Sequence, residues 1–229
     1  MFSSESGEKY WGDRIKIDSD EYKKKRSKHE KTPTEKDKWT GFRSLKKAST
    51  EFRRSIGHVF KSNSYTTRDL FLYTKFLVIR FYSSIAFRND LATLKITPSE
   101  TDNVLKPKKG GLFQIIMRKF KASNKIGDIT IEVDKNLSKV LKKYIKYRNQ
   151  VSKVTHDFLL SNSKGQPLSK RMVGNILREI TSRYLGKTFA TRQIRIMKAT
   201  DDSPIVASAL KVSSQQLHGL KQHLDYMRK

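Results

Sequence analysis

From Trp39 onward the apolar residues fall into periodic blocks separated by polar, turn-forming stretches. "WTGFRSLKKASTEFRRSIGHVF" sets Trp39, Phe42, Leu45, Phe52, Ile56 and Phe60 at near-helical intervals with basic residues between them, which predicts a helix with one buried face. After "KSNSYTT" a second helix is predicted over Arg68 to Ser84. It is apolar around most of its circumference, as a helix at the centre of a core would be. "DNVLKPKKGG" reads as a loop by its proline and paired glycines. "LFQIIMRKFK" and "DITIEV" read as two strands joined by a turn at "ASNKIG", with Ile129, Ile131 and Val133 alternating onto one face.

Further along, "NLSKVLKKYIKYR" predicts a helix that turns Leu137, Val140, Leu141, Tyr144 and Ile145 inward. A helix beyond it carries Met172, Val173, Ile176, Leu177 and Ile180 as its stripe, with Ser169 as N-cap and Gly186 as its stop. The remainder reads as three short helices, the middle one starting at Ser203-Pro204. The fold class that follows is mainly α with a small antiparallel β-hairpin or sheet (α+β). Residues 1 to 35 are too poor in apolar groups to offset the entropy of ordering and are expected to form a flexible basic arm, leaving 36–229 as one domain.

Charge narrows the range of partners. Forty-nine Lys and Arg against 22 Asp and Glu give a net charge of +27, and self-repulsion on that scale works against a compact chain unless a polyanion is present. Nucleic acid fits first, because neutralising phosphates releases counterions. A membrane surface fits less well. The most apolar stretch, "LFLYTKFLVIRFYSSIAF", contains Lys75 and Arg80, costly inside a bilayer, so it is read as a core helix with no membrane partner. The chain has no cysteine, which excludes disulfides, thiol nucleophiles and cysteine-ligated metal and suits an intracellular protein. No apolar stretch near the start resembles a secretory signal.

The sequence contains no phosphate-cradling glycine loop, no His-rich metal spacing and no paired carboxylates of the metal-dependent nuclease kind. Chemistry on a phosphodiester would then rest on the chain's own cations. Arginine suits that task because its planar fork donates to two phosphate oxygens at once.

Several stretches bring such arginines into a recognisable order. "YSSIAFRNDLATLKI" resembles the first-arginine box of tyrosine recombinases, the phage-integrase family, and looks closest to the branch of large DNA viruses, virophages and related mobile elements. "MRKFKASNKIGDITIEV" resembles the family's lysine-bearing hairpin, "FLLSNSKGQPLSKRMVGNILREI" the stretch before the second box, and "TRQIRIMKAT" the second-arginine box. The resemblance covers roughly residues 36 to 229. It implies Arg88 and Arg195 as phosphate-binding arginines, Lys121 as general acid with Lys119 and Lys125 as competitors, and Tyr226 in "LDYMRK" as nucleophile. Two positions depart from the pattern. Arg192 stands where the family usually has a histidine three residues before its second arginine. His218 lies eight residues before Tyr226, where a His or Trp is usual at about nine.

What the resemblance implies is a DNA-cutting and rejoining enzyme that works through a 3′-phosphotyrosyl link, without metal or cofactor, on double-stranded DNA and as a dimer or tetramer. It would act in the nucleus or at a viral replication site if the host is eukaryotic. Two other readings stay open at this point: a non-catalytic DNA-binding protein on the same fold, and an RNA-binding protein whose charge is generic. The family's separate N-terminal clamp domain has no counterpart in residues 1 to 35, which implies a catalytic fragment or an arm that clamps in simpler form.

Overall fold

The structure is a computed structural model that describes residues 4–27, 33–61 and 65–206. Helices expected past Val206, with His218 and Tyr226 on the last of them, lie outside the described residues.

Helix α1 (Ser4–Ser27) and the short α2 (Pro33–Lys38) precede the domain. The segment expected to be a flexible arm is thus largely helical, with Tyr10, Trp11, Ile15 and Ile17 exposed. Local pairing accounts for part of it, since Asp20 and Lys24 stand one turn apart, a spacing that favours opposite charges.

The core is assembled around α4 (Thr67–Tyr82). Thr66 caps its start by accepting from the amide of Asp69 at 3.0 Å. Leu70, Tyr73, Phe76, Leu77, Val78, Ile79, Phe81 and Tyr82 are all buried, which covers most of the helix circumference as the apolar pattern predicts. Three helices pack against it: α3 (Ser44–Ser55), α6 (Lys135–Gln150) and α7 (Lys170–Leu185). The Ser169 hydroxyl accepts from the amide of Met172, and Gly186 ends α7 in the left-handed conformation, both as the sequence indicates. In α6, Leu137, Leu141 and Tyr144 are buried, with Val140 and Ile145 packed against the core edge.

One expected loop is a strand. "DNVLKPKKGG" contains β1 (Val104–Lys108), which pairs antiparallel with β2 (Leu112–Met117), and β2 pairs with β3 (Ile129–Glu132) in the order β1-β2-β3. The sheet therefore has three strands where two were expected. Pro107 is tolerated because β1 lies at the sheet's edge, and Gly110 and Gly111, both with positive φ, form the reversal into β2. Leu105, Ile115 and Ile131 stand opposite one another across the strands and are buried, each contributing about 1.5–3 kcal/mol. The expected turn at "ASNKIG" holds the short helix α5 (Ser123–Ile126), ended by Gly127.

The last described helix, α8 (Thr191–Val206), runs through Ser203-Pro204, which lies within it rather than at the start of a new helix. Proline's fixed φ is helical, and the cost of an interior position is one lost N–H and crowding of the carbonyl four residues back.

Candidate active site

After α4 the chain stays in the core through buried Ala86 and Phe87 and enters a 3-10 turn, Asn89–Thr93, with Arg88 in extended conformation immediately before it. The hydroxyl of Tyr82, a fully buried side chain, donates to the Arg88 carbonyl at 2.6 Å. Burial pushes that phenol far above its ordinary range, only partly opposed by the Arg195 charge, so Tyr82 stays protonated and keeps donating. The arginine backbone is thereby pinned to the floor of the core.

The next acidic group, Asp90, is buried and accepts from Lys170 Nζ at 2.7 Å. Lys170 is the first residue of α7, where a cation faces the positive end of the helix dipole. The Asp90 carboxylate offsets that repulsion and ties α7 to the turn.

Past β2 the chain forms the lysine-bearing turn. Asn103, buried at the head of β1, accepts at Oδ1 from the amides of Arg118 and Lys119, each at 2.8 Å. Its Nδ2 donates to Thr93 Oγ1 at 2.7 Å and to the Lys119 carbonyl at 2.9 Å. One amide side chain thus joins the Arg88 turn to the lysine turn. Within that turn Phe120 is buried and Lys121 is exposed beside it. Lys119 is committed to Asp102 at 2.7 Å, and hydrogen bonds from Lys119 and then Lys95 hold the Asp102 carboxyl down at about 2.

Helix α8 brings the second arginine. Arg195 is 8% exposed and flanked by buried Ile194, Ile196 and Met197. Arg88, Lys121 and Arg195 line one cleft of about 610 Å³, together with Asn89, Asp90, Lys119, Phe120, Ser123, Lys170 and Thr191. Three of the expected residues, remote in sequence, are thus gathered in one place. Arg192 is exposed and is not among the residues lining the cleft; neither is Lys125, which is exposed on α5. His218 and Tyr226 lie outside the described residues.

Five cations and one buried carboxylate give the cleft an anion-binding character, and the carboxylate is already engaged by Lys170. Asp90, Asn103, Lys170 and Tyr82 were not anticipated as parts of the site. Their only sequence signal is the Asn-Asp pair after Arg88, which marks a turn, and the partners lie far along the chain. Among the described residues no group of three or more His, Asp or Glu could hold a metal ion, and no helix is long and apolar enough to cross a membrane.

No family model and no curated protein matches the chain by sequence. Solved structures do match by fold. One is the XerA recombinase, at 14% identity and a TM-score of 0.55, over 81% of this chain and 58% of that one. Another is the XerH site-specific recombinase, solved in a post-cleavage complex with its palindromic difH substrate, at 17% identity and a TM-score of 0.55, over 79% of this chain and 48% of that one. The chain thus spans about half the length of the recombinases it matches. Its mostly helical architecture with a small three-stranded antiparallel sheet is the fold of the tyrosine recombinases.

Proposed function

We propose that the chain is the catalytic domain, over residues 36–229, of a tyrosine recombinase that cleaves and rejoins double-stranded DNA as an integrase of a mobile element, in the branch of large DNA viruses and virophages. The observation that carries this reading is the meeting of Arg88, Lys121 and Arg195 in one basic cleft. In it, Tyr226 attacks the scissile phosphorus, forms a 3′-phosphotyrosyl bond and displaces the 5′-oxygen. Covalent catalysis of this kind keeps the bond energy for rejoining. Arg88 and Arg195 bind the non-bridging oxygens as charge develops, and Lys121 protonates the departing 5′-oxygen. His218 bonds a phosphate oxygen. Arg192, in the usual histidine position but outside the lining of the cleft, accepts no proton, so the phenol proton leaves to water. Strand exchange requires two or four protomers on DNA.

A nicked suicide duplex that traps the covalent adduct tests the reading. The parent protein is expected to become linked to the 3′ end, and Tyr226→Phe to lose the adduct altogether. No adduct with the parent favours a second reading, a recombinase-fold DNA-binding protein without catalysis, which the arginine at position 192 makes specific. Relaxation of supercoiled plasmid without joining of two sites would instead indicate a type IB topoisomerase.

A further inference from the structure

A second cavity, larger than the cleft at about 830 Å³, opens between α3, α4, α6 and the 3-10 turn Gly57–Phe60. One wall is a single face of α6, whose lysines 139, 142, 143 and 146 follow the helical repeat of three and four. Lys139 with Lys143, and Lys142 with Lys146, are like charges one turn apart, an arrangement that destabilises a helix by about 0.2–0.5 kcal/mol per pair. Among the described residues none of these four lysines forms an ion pair. Arg53, Lys61 and Arg80 add charge from the other walls, and among the described residues no acidic one lines the space.

Its floor is aromatic. Phe60 is 37% exposed and Tyr65 42%, among the few large apolar side chains of the domain that face solvent. Phe60 is held edge-on by Tyr73 at 4.9 Å and Phe76 at 5.7 Å, and Tyr65 is held by Tyr147 at 5.0 Å. Arg53 lies over the Phe60 ring at 5.8 Å. An ordinary solvated lysine face needs no such floor, and an ordinary apolar pocket does not carry seven cations on its rim. Cations spaced along a groove with exposed rings beneath match one ligand chemistry: a phosphate backbone whose unpaired bases reach a stacking surface.

We propose that this groove binds an unpaired strand of nucleic acid, with phosphates on the α6 lysines and a base on Phe60 or Tyr65. Among the described residues it shares none with the Arg88–Arg195 cleft. Fluorescence anisotropy with a labelled oligo-dT and with a duplex of equal length tests it. Lys139→Glu/Lys143→Glu, exposed on α6, is expected to weaken oligo-dT binding more than tenfold and to lower the log–log salt slope by about 0.7 for each phosphate no longer neutralised. Phe60→Ala is expected to weaken oligo-dT roughly 5- to 150-fold, the range for one stacked base, with duplex binding unchanged. The suicide-duplex adduct reports on the cleft and oligo-dT anisotropy on this groove, so failure of the cleft reading and failure of this one are told apart. Unchanged oligo-dT binding in the lysine pair overturns the proposal, as does an equal loss for duplex and single strand. Displacement of oligo-dT by poly-glutamate at matched charge would mean an acidic protein partner instead and would overturn it too.

Discussion

An ammonium group that must hand over a proton cannot already be committed to a carboxylate. Lys119 is so committed, at 2.7 Å from Asp102, and Lys125 is not part of the cleft, which leaves Lys121 as the side chain with both position and freedom. On the proposed chemistry Lys121→Ala slows cleavage about 10²–10⁴-fold. The loss should largely vanish on a substrate whose 5′-bridging oxygen is replaced by sulfur, since a thiolate leaves without a proton. Gel quantification of the adduct with both substrates checks this, and an unrescued loss assigns Lys121 a binding role only. Lys119→Ala should show no such rescue. At this scale the motifs single out Arg88, Lys121 and Arg195, which the fold brings to one cleft. The sequence is silent about Asp90 and Lys170, whose contact joins positions far apart with no periodicity to announce it.

Between residues and fold stands the joint made by Asn103. Its amide satisfies two backbone donors and one carbonyl of the lysine turn and reaches Thr93, whose own hydroxyl donates to the Asp90 carbonyl at 2.7 Å. Asn103→Leu leaves the part-buried Arg118 and Lys119 amides without their acceptor, at a cost of about 1 kcal/mol for each. A lower urea midpoint at unchanged slope is the expected result. Asn103→Asp, which keeps the acceptor, should lie between parent and leucine variant. Elements with local punctuation were legible: the Ser169 cap, the Gly186 stop and the apolar girth of α4 each follow from neighbouring residues. β1 was not, because Pro107 argues against a strand until one knows that the strand lies at an edge.

For the whole molecule, part of the pH response comes from a half-buried histidine beside like charge. His156 lies with Nδ1 3.2 Å from the guanidinium of Arg148, itself buried, and Nε2 3.3 Å from Ser161 Oγ. Burial first, then the Arg148 charge, lowers its pKa below the ordinary 6.5. The folded chain therefore resists a proton that the unfolded chain takes up as pH falls through 6.5. Stability should decline from about pH 7 toward pH 5. Thermal unfolding at pH 8, 6.5 and 5 checks this, and His156→Gln should flatten the decline over that range. If the variant's curve keeps the parent's slope, another group is responsible.

The outer margin of β1 has a consequence for how copies can meet. Phe113 directs its amide to Ser138 and its carbonyl to Val133, both away from β1, so the nitrogen of its partner Pro107 faces outward. Proline has no hydrogen to offer there, and the other outward donor, the Leu105 amide, is taken by the Lys95 carbonyl at 2.8 Å. A neighbouring chain seeking to extend the sheet along this border finds neither hook. Copies of this chain that meet along that margin are thus kept from zipping into fibres.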